Sequence, residues 1–392
     1  MKKITNKELK EIIQSAHINL LIWSGCSTDY LSTLTNIEEK MNIEDTREEA
    51  QKDYYKLIKK SKAVLDESLE LDVHEKVKLA KTKQNYDSFL GFWANTISSR
   101  SLNIVNKQVN IFTTNFDIFM EESCERLDIP YNDGFAGQIN ATFSVTNFNK
   151  IQKYKSLQFD NTSDIPLMNI IKLHGSLSWE EKNDKICYSN GSHIANDLES
   201  QSGKDFEEGY KKISLINPNA EKHFETVMNI NFAAMLRKFT LELEKENSIL
   251  LIIWFSLEDK HIKNLLYGVL KSNPTLIVIY FSYSKYDELL DKLQEKNHNN
   301  LYVIYPELTK ERLDTFFGKN NKNQWNRFIV DSDSDQLELI DDIQEIIKDL
   351  PENTKEERDI KEKIKKVISF PFEQIIEYIS NIFKSYTSEI NE

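Results

Sequence analysis

The chain has 392 residues and a formal net charge of −13, and 40% of its residues are hydrophobic. This length can hold one large core with insertions, and the composition is ordinary for a soluble globular protein. Broad nucleic-acid binding draws on a surplus of Lys and Arg, whereas this chain has an acidic excess, so we expect no direct nucleic-acid binding.

From the sequence we expect neither a membrane segment nor an export signal. No apolar run reaches the 18 or more residues of a membrane helix, and the charged start at residues 1–14 does not have the pattern of a signal peptide. The three cysteines, Cys26, Cys124 and Cys187, have spacings that give neither a disulfide framework nor a metal quartet. We therefore expect a cytoplasmic protein without a membrane partner.

Short apolar runs alternate with helical segments along most of the chain. Continuous apolar runs are typical of buried parallel strands, and alternation with helices favours a parallel sheet. We predict an α/β, Rossmann-like, mostly parallel sheet with helical insertions and a helical C-terminal tail. The predicted strands cover residues 18–23, 109–112, 168–173, 249–254, 275–280 and 301–305, and the predicted helices 7–16, 117–127, 224–246 and 260–271.

Three insertions interrupt this pattern within a predicted domain of residues 1–310. Residues 37–100 have helical spacing, and polar, Asn-rich or irregular stretches at 130–165 and 180–222 indicate small excursions. We expect the helical insert to bury one stripe, formed by Leu57, Ile58, Val64, Leu65, Leu69, Leu71 and Val77.

Residues 311–392 are predicted to form a helical C-terminal extension. Its last part has an apolar face, which consists of Phe370, Phe372, Ile375, Ile376, Ile379 and Phe383. An amphipathic helix of this kind packs on its own domain or forms a contact with a partner or another subunit. Both alternatives are open from the sequence.

Two predicted strands end in compact polar residues. The run VNIFTTNFD delivers Asn115 and Asp117, and the run IIKLHGS delivers His174. Ligands of open α/β sheets gather beyond the carboxyl ends of the strands, so these side chains are expected on one rim. This pair of motifs resembles the sirtuin family, especially its bacterial defence branch, whose members cleave NAD. The resemblance covers roughly residues 10 to 310.

The resemblance implies roles for the residues of this rim. Asn115 would lie by the nicotinamide ribose and His174 would act as acid or base, so both are predicted to be catalytic. Asp117 would support the loop or the ribose, and Thr113 and Thr114 would line the same rim. The chemistry suits the residue types, because an amide can orient water or a ribose hydroxyl and an imidazole titrates near neutrality.

The predicted cofactor end departs from the family pattern. The stretch WSGCS aligns with a Gly-Ala-Gly-x-Ser loop, in which Gly25 and Ser27 fit and Trp23 replaces the first glycine. The stretch WFS aligns with a Gly-x-Ser turn, in which Ser256 fits and Trp254 replaces the glycine. Either the indoles stack on or enclose the adenine, or they block the site of a pseudoenzyme. The similar change at both positions indicates that the two rims face each other.

The sequence also distinguishes between branches of the resembled family. Its protein deacylases carry a zinc ribbon with two Cys-x-x-Cys pairs, which this chain lacks, so we expect NAD hydrolysis and no metal. The histidines other than His174 are interpreted as surface or structural residues. His261 follows Glu258 and Asp259 just after the Trp254 turn and could reach the pocket.

The leading hypothesis is a bacterial antiphage NAD hydrolase that depletes NAD and so arrests an infected cell. NAD would be its substrate, and we expect a homo-oligomer. The resemblance implies a defence partner such as a HerA-type ATPase or an Argonaute. The alternative is a catalytically inactive sirtuin-like scaffold that binds a nucleotide or a partner protein in a defence complex. A third possibility is a nucleotide-sensing regulatory module.

Overall fold

The computed structural model describes residues 4–32, 34–65, 71–100, 105–158, 160–183, 185–191, 194, 201, 205–206, 210, 213–215, 229–254, 259–281, 300–304 and 372–389. In chain order the strands of these residues are β1 His17–Ile22, β2 Gln108–Thr113, β3 Tyr131–Asn132, β4 Phe135–Ala136, β5 Thr142–Phe143, β6 Lys153–Lys155, β7 Thr162–Asp164, β8 Leu167–Lys172, β9 Gly175–Lys182, β10 Lys185–Tyr188, β11 Ile213–Leu215, β12 Ser248–Ile253, β13 Ile277–Phe281 and β14 Leu301–Ile304.

The helices cover both faces of the main sheet. They are α1 Asn6–Ser15, α2 Thr35–Met41, α3 Arg47–Ser61, α4 Val73–Ser98, α5 Phe119–Arg126, α6 Ile230–Leu243, α7 Lys260–Ser272 and α8 Phe372–Glu389. Among the described residues, no helix combines the length and apolar character needed to cross a membrane.

The main sheet is parallel throughout its described part. Its seven strands lie in the order β14-β13-β12-β1-β2-β8-β3. Both faces of β1 are buried: Leu20 contributes to one hydrophobic cluster and Leu21 to the other. This two-sided burial explains the continuous apolar runs, and the predicted α/β, Rossmann-like fold is confirmed.

The chain changes direction within this sheet between β1 and β12. From β1 it builds outward through β2, β8 and β3, and from β12 it builds in the opposite direction through β13 and β14. Such a topological switch point opens a crevice beyond the carboxyl ends of the two central strands, where open α/β sheets bind ligands.

The helical insert buries only part of the predicted stripe. Ile58 and Val64 are buried, but Val77 is 62% exposed and Leu65 is 38% exposed, while Leu69 lies outside the described residues. The predicted stripe considered aliphatic residues only. Aromatic side chains form much of the buried surface instead: Tyr54, Tyr55, Tyr86, Phe89 and Trp93.

The two predicted excursions contain more regular structure than expected. Strands β4, β5, β9, β10 and β11 form an antiparallel sheet, and β6 pairs with β7. Strand β9 escaped prediction because its buried positions include Ser176 and Ser178, whose hydroxyls lie 3.1 Å apart and hydrogen-bond each other. The irregular interpretation of residues 180–222 is therefore wrong for the end of β9, for β10 and for β11.

The C-terminal helix α8 packs on the chain's own helices. The ring centroid of Phe372 lies 5.1 Å from that of Phe89, and the centroid of Phe383 lies 5.4 Å from that of Phe92. Glu373 adds an ion pair with Lys81 at 2.6 Å. Of the predicted apolar face, Phe370 lies outside the described residues. The described part of this face packs on helices of the same chain, which is the first of the two alternatives that the sequence left open.

Candidate functional site

Four adjacent strands carry the candidate residues at their carboxyl ends. In sheet order these strands are β12, β1, β2 and β8. The loop after β12 begins with Trp254, the loop after β1 contains Gly25, the loop after β2 contains Asn115, and His174 follows β8. The predicted cofactor residue Ser256 lies outside the described residues.

Asn115 is held in place at the end of β2. Its backbone N–H donates to Oγ1 of the buried Thr113 at 3.0 Å, and its Nδ2 donates to the carbonyl oxygen of Trp23 at 3.1 Å. The side chain is only 4% exposed, and its Oδ1 is buried without a hydrogen-bond partner in the described structure. Thr114, the next predicted rim residue, is half-buried beside it.

Trp23 connects Asn115 with His174. Besides accepting the Asn115 amide through its carbonyl, Trp23 packs its ring edge-on against the His174 imidazole, with centroids 6.4 Å apart. The strand ends are also joined directly, because Leu173 N donates to the carbonyl of Thr113 at 2.8 Å. The structure thus brings the two predicted catalytic residues to one part of the rim.

Ser27 and Asp117 bind each other. Ser27 Oγ donates to Asp117 Oδ2 at 2.9 Å and lies 2.8 Å from the hydroxyl of Tyr86, and both Ser27 and Asp117 are buried. Asp117 Oδ1 also accepts the N–H of Phe119 at the start of α5. These contacts brace the loops after β1 and β2. The part of Tyr86 in this contact could not be predicted, because Tyr86 lies on the helical insert, far away in sequence.

Burial dominates the electrostatics of this brace. It raises the pKa of the Asp117 carboxyl above its ordinary value, although the charge of Lys172 and the hydrogen bonds from Ser27 and Phe119 act in the opposite direction. Lys172 is itself only 2% exposed and pairs with Glu121 at 3.3 Å. Lys172 Nζ also donates to the backbone carbonyl of Asp117 and so contacts the loop that carries Asn115.

The loops after β1 and β12 meet at Gly25 and Trp254. A Cβ placed on Gly25 would lie 1.7 Å from Cε3 of the Trp254 indole. Trp254 itself has a φ of +61°, in the left-handed region that favours glycine. Residue 254, where the resembled family has glycine, therefore keeps a backbone conformation that is typical of glycine. The side chain at this position, the Trp254 indole, fills the space beside Gly25.

A second histidine faces His174 from the other side of the rim. Nε2 of His174 lies 3.3 Å from Nε2 of His261, and the two rings are tilted by 38° with centroids 5.4 Å apart. Asp259 and His261 are both buried. The strand-end rule places both histidines on the same rim, as the sequence allowed for His261, but it does not predict that the two imidazoles touch.

The residues present fit a dinucleotide unevenly. At the Asn115 end, the buried Oδ1 is an acceptor that a ligand hydroxyl can satisfy. At the Gly25 end, an indole fills the side-chain space of the glycine. Fold and site together define an open α/β protein whose candidate site lies at the topological switch point, where such sheets bind ligands.

Comparison with known families agrees with this class. A model of the SIR2-like domain matches residues 109–304, half of the chain, and the chain belongs to this family. The match supports a sirtuin-like, NAD-related function. It includes Asn115, His174 and Trp254, whereas Gly25 and the helical insert precede it. No curated protein matches the chain.

Proposed function

We propose that the protein is an NAD hydrolase that releases nicotinamide, with Asn115 and His174 as its catalytic residues. The observation that carries this proposal is the buried, unpartnered Oδ1 of Asn115 in the described structure. Leaving such an acceptor unsatisfied costs about 1–3 kcal/mol. A ribose hydroxyl or an attacking water that donates to Oδ1 removes this cost, and the resemblance assigns the same residue to the nicotinamide ribose.

The proposed reaction breaks the bond between ribose C1′ and the nicotinamide nitrogen. Nicotinamide leaves as a neutral molecule with the bonding electrons, and positive charge develops on the ribose. Asn115 orients the ribose hydroxyl or the water that attacks C1′. His174 accepts the proton that this water loses and returns it to solvent, for which an imidazole is suited near neutral pH. The products are nicotinamide, ADP-ribose and a proton.

The test follows nicotinamide release by chromatography for the wild type, Asn115→Ala and His174→Ala. Loss of a group that positions or accepts a proton is expected to lower the rate by about 100- to 10,000-fold. His74→Ala is the matched control, because His74 is exposed on α4. Circular dichroism checks the fold of each variant. Wild-type rates in both site variants would show that the proposed site is wrong.

The proposed biological role is antiphage defence by depletion of NAD. It rests on the resemblance to the bacterial defence branch. We expect a homo-oligomer that stays inactive until triggered, together with a partner such as a HerA-type ATPase or an Argonaute. Cells that express the protein with its neighbouring gene products should lose NAD after phage infection, and cells with Asn115→Ala should keep it. Equal NAD levels in both strains would contradict this role.

The second candidate is an inactive scaffold that binds a nucleotide or a partner protein. The observation that favours it is the indole of Trp254 beside Gly25. Calorimetric titration of NAD into the wild type and a Trp23→Gly/Trp254→Gly variant compares the two candidates. If the indoles stack on the adenine, the variant should lose about 1–3 kcal/mol of binding free energy. Tighter binding by the variant would favour the scaffold.

A further inference from the structure

Three metal-binding side chains converge where the loop after β8 meets the start of α7. His174, Asp259 and His261 each offer one ligand atom, and these atoms all lie within 4.8 Å of one another. The two imidazoles approach through the same nitrogen, with Nε2 to Nε2 at 3.3 Å. Their approach comes from the fold, because residues 174 and 261 are supplied by strand ends on opposite sides of the switch point.

The separation of the two nitrogens suits a shared ion. Zinc–nitrogen bonds of about 2.0–2.1 Å at a tetrahedral angle place two ligands about 3.3–3.4 Å apart. The observed 3.3 Å matches the separation expected for two nitrogens that bind one ion of that size. The Asp259 carboxylate lies on the same cluster and supplies the negative charge that offsets a divalent cation.

The ligand set also indicates the class of metal. Two imidazoles with one carboxylate suit zinc, cobalt or iron, whereas magnesium and calcium prefer oxygen ligands alone. Three protein ligands leave one tetrahedral position open, as in catalytic zinc sites. Asp259 and His261 are buried, at 2% and 4% exposure, whereas His174 is half-buried and gives the ion a route from solvent.

We propose that His174, Asp259 and His261 form a binding site for one divalent transition-metal ion, with zinc as the physiological candidate. The site differs from a cysteine zinc ribbon, since its ligands come from the end of β8 and from the start of α7, which are distant in sequence. An ion on Nε2 of His174 takes the lone pair with which this residue accepts a proton. Metal binding therefore inhibits NAD hydrolysis, and this consequence alone rests on the proposed function.

The direct test titrates Co²⁺ into chelator-treated, full-length protein and records its visible d–d absorption. The expected result is a tetrahedral spectrum that saturates at one Co²⁺ per chain and disappears when Zn²⁺ is added. His261→Ala and Asp259→Asn should each weaken Co²⁺ binding by at least about 10- to 100-fold, because even indirect support of a ligand contributes this much. His74→Ala should bind like the wild type.

The control for folding is circular dichroism with thermal unfolding, and His261→Gln replaces His261→Ala if the latter does not fold. An imidazole pair that merely shares a proton would also lie close together, but it would give no d–d spectrum. Absence of that spectrum in the wild type, or equal Co²⁺ affinity in folded His261 and Asp259 variants, overturns the site.

A separate assay addresses the inhibitory consequence. The rate of NAD hydrolysis is measured in chelator and again with added Zn²⁺. In the wild type Zn²⁺ should lower this rate, and in His261→Ala the two rates should be more nearly equal. Co²⁺ binding with no NAD hydrolysis in chelator, even when the neighbouring gene products are present, would refute the proposed function and leave the metal site standing. NAD hydrolysis without Co²⁺ binding would refute the metal site and leave the proposed function standing.

Discussion

The indole of Trp254 fills the space that a side chain on Gly25 would need, with Cε3 only 1.7 Å from the ideal Cβ position. Gly25 has no left-handed φ, whereas Trp254 has one. Gly25 is thus required for space and not for its backbone conformation. Trp254 accepts a conformation that costs roughly 1–2 kcal/mol for a residue with a side chain.

A double-mutant cycle tests this contact. Gly25→Ala should destabilise the protein by about 1–3 kcal/mol in the wild-type background, because its methyl group overlaps the indole. In a Trp254→Ala background the same change should cost less than about 0.5 kcal/mol, which gives a coupling free energy within the ordinary range for residues in contact. Urea unfolding measures all four proteins.

Gly268→Ala is the control for this cycle. Gly268 lies within α7, and an added Cβ there meets nothing within 4 Å. The change should stabilise the helix by up to about 1 kcal/mol, since glycine is unfavourable in a helix interior. Equal costs of Gly25→Ala in both backgrounds would show that the indole does not fill this space.

The raised pKa of Asp117 predicts a pH-dependent contribution to stability. The unfolded carboxyl has an ordinary pKa near 3.8, and burial raises the folded pKa above it. The folded state therefore holds this proton more tightly. The resulting stabilisation is complete below the unfolded pKa and is lost as pH rises through the folded pKa.

Asp117→Asn removes this titration and can still accept the hydroxyl of Ser27. The free energy of unfolding of the wild type, minus that of Asp117→Asn, should fall as pH rises above 3.8. Urea unfolding at a series of pH values gives this difference directly. If this difference in the free energy of unfolding stays constant or rises as pH increases above 3.8, the pKa of Asp117 is not raised in the folded protein.

Phe372 anchors α8 in the core. It is 2% exposed and packs on Phe89 and Tyr86. Phe372→Ala should destabilise the protein by about 3–5 kcal/mol, the usual cost for a buried phenylalanine. The exposed Glu377 lies on the same helix, and Glu377→Ala should change stability by less than about 0.5 kcal/mol. Similar unfolding midpoints for both variants would contradict this packing.

A buried asparagine ladder joins three central strands. Asn110 donates to Asn19 at 2.9 Å and accepts from Asn169 at 2.8 Å. Asn110→Ala removes hydrogen-bonding partners from two buried amides. It should therefore lower the free energy of unfolding by at least about 1–3 kcal/mol. Asn149→Ala, which removes an exposed hydrogen bond to Lys238, is the control and should be nearly neutral. Equal small costs in chemical denaturation would argue against the ladder.

The main sheet could be predicted because its strands are buried on both faces. The apolar run ending at Ile22 and the one ending at Ile253 appear in the sequence as uninterrupted hydrophobic segments. The polar residues after each strand identified the rim, so Asn115 and His174 could be placed together before any coordinates. The helical insert was recognised by its periodicity, but its buried surface was predicted only in part, because Tyr55 and Tyr86 lie outside the aliphatic stripe.

Contacts within the rim could not be predicted in the same way. The strand-end rule assigns a residue to an edge of the sheet, but the rotamer and the loop conformation decide which neighbour it touches. Nothing in the sequence distinguishes His261 beside His174 from a histidine that points into solvent. The antiparallel strand β9 was also missed, because serines at buried positions resemble a polar loop until their hydroxyls find partners.

The position of α8 has a consequence for the newly made chain. Phe372 touches Tyr86, whose hydroxyl lies 2.8 Å from that of Ser27 in the brace behind the rim. The ribosome releases α4 long before residue 372 is made. Tyr86 on α4 therefore remains without its contact to Phe372 while most of the polypeptide is synthesised. Nascent chains with such exposed surface are handled by chaperones. We therefore expect a product of premature termination before residue 372 to be degraded by proteases.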